Sequence, residues 1–287
     1  MAKEKEARRP FNLKREVKLL PGYIILLLWV IFTIVLLGWV FGASFSTTAE
    51  IFQGKALKFE SGLHFENYAK AWNGAGVAGF FGNSLIYSVI SCTILILVCA
   101  PAAYVLSRFD FKCNKFLLLF FMLGMMVPVH TVLVPVSYII GALNLKNNIP
   151  ALVMIYVAFS LPFSILVVTN FMKGVNRSLE EAALIDGATY FQIYKNVMLP
   201  MTVPAISTIS IFNFLGAWNN ILFPLLFIND KNLKPIALGL LNFNGERGSD
   251  YGPLMAAIVI TVAVPLVIYL LFQEKVEGGL AAGAVKE

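Results

Sequence analysis

Long uncharged runs alternate with short clusters of charge along this chain. The runs cover residues 19–49, 71–107, 116–145, 147–172, 198–229 and 251–273. A helix rises about 1.5 Å per residue, so about 20 apolar residues cross the roughly 30 Å hydrocarbon core of a bilayer. The pattern predicts six transmembrane helices, near 22–44, 79–107, 116–141, 150–172, 200–228 and 253–273. The expected fold class is therefore an all-α integral membrane protein.

Composition agrees with this pattern. Of 287 residues, 59% are hydrophobic and 13% charged, against about 25% charged in an ordinary soluble domain. A soluble core cannot hide so much apolar surface, whereas lipid solvates the outward faces of helices and leaves only the backbone to be satisfied internally. Short cytoplasmic segments collect Lys and Arg. Fifteen of the 22 basic residues fall before the first helix, in 108–115, in 173–195 or at the end of the chain, and seven fall in the intervening loops. Both termini are accordingly expected in the cytoplasm, and loops 45–78 and 229–252 outside. The net charge of +6 then reports topology, with no nucleic-acid partner implied.

Residues 23–41 are too long an uncharged run for a cleaved signal peptide, so they read as a retained helix. Cys92, Cys99 and Cys113 make no disulfide framework. Pro128, Pro135, Pro162, Pro204, Pro224 and Pro265 lie within or beside the spans, where neighbouring helices can satisfy the carbonyls they free.

The segment from Arg177 to Pro200 carries the strongest local signals. Ser178 and Glu181 have the S-x-x-E spacing of a capping box, Gly187 can take the left-handed conformation that ends a helix, and Thr189 with Gln192 repeats the box. The loop predicts a helix, a glycine turn and a second helix. Leu179, Ala182, Ala183 and Tyr190 are the apolar contacts of the resulting knob.

Glu181-Ala182-Ala183, Gly187 and Val197-Met198-Leu199-Pro200 resemble the E-A-A-x-x-x-G-x(9)-I-x-L-P signature of bacterial ABC importer permeases, with Val197 in place of isoleucine. Phe81 to Leu85, Ala217-Trp218-Asn219 and the ending from Glu277 to Lys286 are similar to maltose-type carbohydrate permeases, in particular the smaller subunit of the heterodimeric pair. The resemblance implies a basic N-terminal tail (1–18), a first helix with an external loop (19–78), and a five-helix permease core (79–273) with its coupling loop at 177–197. A cytoplasmic C-terminal tail (274–287) follows. It also implies a channel-forming subunit of a binding-protein-dependent importer of the bacterial cytoplasmic membrane, translocating a sugar or oligosaccharide. The partners implied are a second permease subunit, an ATPase dimer on the coupling loop, an external solute-binding protein and membrane lipid. Loop 229–252, with Gly239, Gly245 and Gly248, would face the binding protein.

The chain has no G-x-x-x-x-G-K-[ST] loop, so it is expected to be no enzyme and to bind no cofactor, with ATP and Mg on the partner ATPase. Glu181, Ala182, Ala183, Gly187, Leu179 and Tyr190 are the candidate ATPase-coupling residues. Asn83, Asn213, Trp218, Asn219 and Asn220 are candidates for the solute path, because hydrocarbon tolerates polar groups poorly unless they face a cavity or a partner. Interhelical hydrogen bonding is their alternative role. A polyol or glycerol phosphate is an alternative solute. A secondary transporter acting alone is disfavoured by spans that hold no Asp, Glu, Lys or Arg, and His130 has no carboxylate partner within them.

Overall fold

The computed structural model describes residues 13–243 and 250–284, and among these residues every regular element is helical. In chain order these are α1 (Leu13–Ala43), α2 (Thr48–Phe52), α3 (Glu66–Ala69), α4 (Val77–Arg108), α5 (Asn114–Met126), α6 (Val129–Ala142) and α7 (Ile149–Gly174). They are followed by α8 (Ser178–Ile185), α9 (Tyr190–Ile193), α10 (Leu199–Met201), α11 (Val203–Trp218), α12 (Leu222–Phe227), α13 (Ile236–Gly239) and α14 (Tyr251–Ala284). Four helices, α1, α4, α7 and α14, are each long and apolar enough to cross a membrane, and two bent pairs bring the total to as many as six.

The first, second, fourth and sixth expected spans are each one continuous helix. The third is not: α5 and α6 meet at 99°. Pro128 supplies no amide and forces the residue before it out of the helical region, and Val127 is extended at φ −77°, ψ 114°. The fifth is also divided. The helical run from Tyr190 to Met201 meets α11 at 70°, with Thr202 between them at φ −88°, ψ −1°. At its other end α11 stops at Trp218, and Asn220 restarts the chain as α12 by accepting the Phe223 amide at 3.1 Å. Two expected boundaries also differ: the chain is already helical at Leu13, within the expected basic tail, and α14 continues past residue 273.

α4, α7 and α11 pack together at the centre, with α5 on α7 and α14 on α11. Towards the start of α4, Tyr87, Leu152, Tyr156, Phe223 and Phe227 form one apolar cluster. Towards its end, Cys99, Tyr104, Val168, Met172 and Met198 form another. Lipid is as apolar as these side chains, so close van der Waals packing holds the bundle, together with a polar seam in which the Asn213 amide reaches Ser91 Oγ and Cys92 Sγ at 3.3 Å. Ser164, Thr208, Ser210 and Thr261 donate to carbonyls one turn back, which satisfies hydroxyls that an apolar surround would otherwise penalise.

One end of the bundle carries the loop with α8 and α9. The opposite end is covered by residues 44–76 and 229–243, with Asp250 beside them. There Asn67 Nδ2 donates to the carbonyls of Ser44 and Ser46, both at 3.0 Å. Thr48 Oγ1 donates to Asp250 at 2.7 Å.

Candidate functional site

α7 ends at Gly174, and Val175 turns the chain out in extended conformation. The expected capping box at Ser178 does not form. Ser178 already lies inside α8, and its amide donates to Asn176 Oδ1 at 3.0 Å. The residues between Val175 and α8 are few, and Asn176 is placed to satisfy an amide two residues on, as Asn side chains commonly do. Glu181 therefore has no cap amide to reach.

The far end of α8 follows expectation. Gly187 has φ +78°, where a β-carbon would be strained. The Ala188 amide bonds the Ala183 carbonyl at 2.9 Å and the Gly187 amide bonds Leu184 at 3.0 Å, the pair of bonds that closes a Schellman motif. Thr189 and Gln192 then form the second capping box, with the Thr189 amide on Gln192 Oε1 at 2.7 Å and the Gln192 amide on Thr189 Oγ1 at 3.3 Å.

This geometry turns a knob outward from the bundle. Glu181, Ala182 and Gly187 are exposed, as are Leu179 and Tyr190, while Ala183 is half-buried against the apolar cluster below. Ile185 and Phe191, which the sequence reading did not single out, are 86% and 70% exposed. Their flanking of Gly187 was the available signal. Large apolar side chains are thus left open at this end of the structure.

The knob is anchored by an interaction that sequence reasoning missed. Arg108, the last residue of α4, pairs through Nε with Glu180 in the first turn of α8, and both side chains are largely buried. Arg108 Nη2 also donates to the Val175 carbonyl at 2.9 Å. Desolvation raises the Glu180 carboxyl above its ordinary pKa, and the Arg108 charge opposes that shift. Tyr104, Phe109 and Tyr190 stack edge to face beside the pair, around a cleft of about 200 Å³ that Glu181 and Leu184 also line.

The solute-path candidates are spread through the bundle. Asn83 Nδ2 donates to the carbonyls of Asn232 and Lys234 at 2.7 and 3.0 Å. Asn213 belongs to the α4–α11 seam, and Trp218 is fully buried, donating to the Thr261 carbonyl at 3.1 Å. Asn220 caps α12, and Asn219 is exposed. A concave apolar face of about 560 Å³ lies between α5 and α7, lined by Phe120, Phe121, Gly124, Phe159 and Pro162 among others, and none of the five candidates lines it. His130 is exposed in the first turn of α6. Gly239 is buried, so its role is close packing, and Gly245 and Gly248 lie outside the described residues.

A polytopic helical bundle whose polar end bears a glycine-turned helix pair defines a permease subunit of an ABC importer. Residues 95–281 match the family described as binding-protein-dependent transport system inner membrane component, and the chain belongs to it. It is 35% identical over 267 residues to the diacetylchitobiose uptake system permease protein NgcG of Streptomyces coelicolor, covering 92% of this chain and 88% of the relative. It is 31% identical to the multiple sugar-binding transport system permease protein MsmG of Streptococcus mutans, covering 85% and 88%. Its fold is similar to a chain in the crystal structure of a bacterial ABC transporter involved in the import of the acidic polysaccharide alginate. That match has a TM-score of 0.80 at 18% identity and covers 92% of this chain and 98% of the other.

Proposed function

We propose that this chain is one of two unlike permease subunits that together carry a sugar or oligosaccharide inward across the bacterial cytoplasmic membrane. The observation that carries the reading is the exposed knob around Gly187, fixed by two helix-end motifs and left without an apolar covering. An ATPase dimer docks there. ATP and Mg bind on that partner, and its closure moves α8 and α9 so that the bundle alternates between two packings. Glu181, Ala182 and Ala183 lie along the docking face, Leu179 and Tyr190 flank it, and Gly187 sets its turn. With the knob in the cytoplasm, both termini are cytoplasmic, as the bias of Lys and Arg supports. Residues 44–76 and 229–243 then face an external solute-binding protein.

The saccharide assignment is supported by the solutes named for the relatives, which are diacetylchitobiose and multiple sugars. Asn83, Asn213, Trp218, Asn219 and Asn220 remain the candidate solute contacts. Among them Asn219 presents an exposed amide at the break between α11 and α12.

The test is affinity purification of the complex through a tag on this chain, followed by mass spectrometry of its subunits and of the solute held by the co-purifying binding protein. A second permease, an ATPase and a bound saccharide are expected. A polyol or glycerol phosphate in the binding protein overturns the solute, and a chain that purifies alone overturns the assembly.

A further inference from the structure

α4 runs unbroken for 32 residues, with Pro101 inside it, a length of about 48 Å at the rise of an α-helix. Side chains tie both of its ends to loops that the chain itself reaches by other routes. At one end Arg108 holds Glu180 of α8 and the Val175 carbonyl at the end of α7. At the other end, Asn83 donates to the carbonyls of Asn232 and Lys234, and Tyr87 Oη donates to the Leu233 carbonyl at 2.9 Å. Ser84 Oγ accepts the Ile236 amide at 2.8 Å. The covalent path from α9 into α11 is bent by 70° and interrupted again after Trp218. A bent, interrupted element transmits displacement poorly, and a continuous helix clamped at both ends transmits it better.

The chemistry at the Arg108 end suits a mechanical joint. Arg108 is 5% exposed at its side chain and Glu180 13%. A pair so far removed from water adds little net stability, because desolvation offsets its attraction, but breaking one side leaves an uncompensated charge. Such a pair therefore specifies position more than it stabilises. The planar guanidinium engages two elements at once, which a lysine ammonium cannot do with the same geometry.

We propose that Arg108 and Glu180 are positioning residues that make α4 a strut, passing displacement of the knob to residues 231–236 on the opposite side of the membrane. This rests on the reading of α8 and α9 as the ATPase dock. The strut would give the external face direct mechanical notice of nucleotide state, alongside the paths through α7 and α11.

The test uses the whole transporter in lipid nanodiscs, with Cys92, Cys99 and Cys113 replaced by Ala and an environment-sensitive fluorophore on Asn232→Cys, an exposed position that contributes only its backbone carbonyl to Asn83. The readout is the fluorescence change on trapping with ATP and vanadate. Glu180→Gln is expected to reduce that change about fivefold while the ATPase still co-purifies and hydrolyses ATP at the parent rate. Arg108→Lys, which keeps the charge pair, should retain more of the response than Arg108→Gln. An unchanged response in Glu180→Gln overturns the strut and leaves the dock intact. Should Glu180→Gln fail to assemble, Ser84→Ala combined with Tyr87→Phe, which loosens the ties to Ile236 and Leu233, decides from the far end, where docking is untouched: a lost response supports the strut and a normal one overturns it. A parent complex on which no ATPase docks overturns the coupling reading and the strut with it.

Discussion

The ring of Phe80, one turn into α4, lies where a β-carbon on Gly239 would stand. Gly239 is buried in α13, and the ring shares its cluster with Ile236 and Trp218, so an added β-carbon has to displace a packed side chain. We predict that Gly239→Ala destabilises the folded chain by about 1–3 kcal/mol through overpacking. Thermal denaturation of the purified complex should show the loss, and Phe80→Leu should restore part of it. A Gly239→Ala protein as stable as the parent would mean that the contact is not close in solution.

At Gly187 the constraint is backbone conformation alone, because an added β-carbon meets nothing within 4 Å. Gly187→Val is expected to cost about 1–2 kcal/mol in the left-handed region and to misplace α9 relative to α8. The variant should reach the membrane at normal levels and retain less ATPase on purification. Gly187→Asn should come closer to the parent, since Asn visits this region more readily. Equal ATPase retention in all three proteins would remove the turn from the coupling assignment.

The two helix starts in the loop should respond differently to truncation. Thr189→Ala removes a capping box, and Asn176→Ala removes the acceptor for the Ser178 amide, so each should cost about 0.5–2 kcal/mol locally. Ser178→Ala should cost almost nothing, because its hydroxyl caps no amide. Amide hydrogen exchange resolved to α8 and α9 measures all three, and faster exchange of α8 in Ser178→Ala would reinstate the capping box that the sequence suggests.

Glu50 makes a pH-dependent tie in the segment between α1 and α4. Its carboxylate accepts the Thr47 amide at 2.9 Å and both the amide and hydroxyl of Ser61, at 2.9 and 2.8 Å. These bonds, the Thr47 amide foremost, lower its pKa from 4.5 to about 2. Because the folded value is depressed, the contribution is complete above 4.5 and is lost as pH falls through about 2. Exchange of the Thr47 and Ser61 amides, corrected for intrinsic rate, should therefore accelerate on acidification across that window. Glu50→Gln should exchange fast throughout, and an acid response that survives in Glu50→Gln would assign the effect to another group.

Hydrophobic patterning made the membrane class and the positions of α1, α4, α7 and α14 legible, because each is a long run whose period does not matter once lipid replaces water. It did not distinguish prolines that bend the chain from those that do not. Pro101 is exposed in α4 and Pro162 half-buried in α7, but each helix packs against several others, and both stay continuous. Pro128 separates two helices that bury one residue between them, Ile140, so packing does little to hold the pair straight. Local spacing likewise revealed Gly187 and the Thr189 box, whose partners are near in sequence. The Arg108–Glu180 pair joins distant segments and carries no periodic signature, so only the packed bundle brings it into view.

α1 is exposed along its whole apolar length, from Leu19 to Phe41, and packs on α14. A side chain that touches lipid is judged by its solubility in hydrocarbon, and many residues pass that standard equally well. The segment matched to the family begins at residue 95, well after this helix. α1 is therefore held to a loose standard, greasiness, that many side chains meet, whereas the left-handed backbone at Gly187 asks for one residue type in particular.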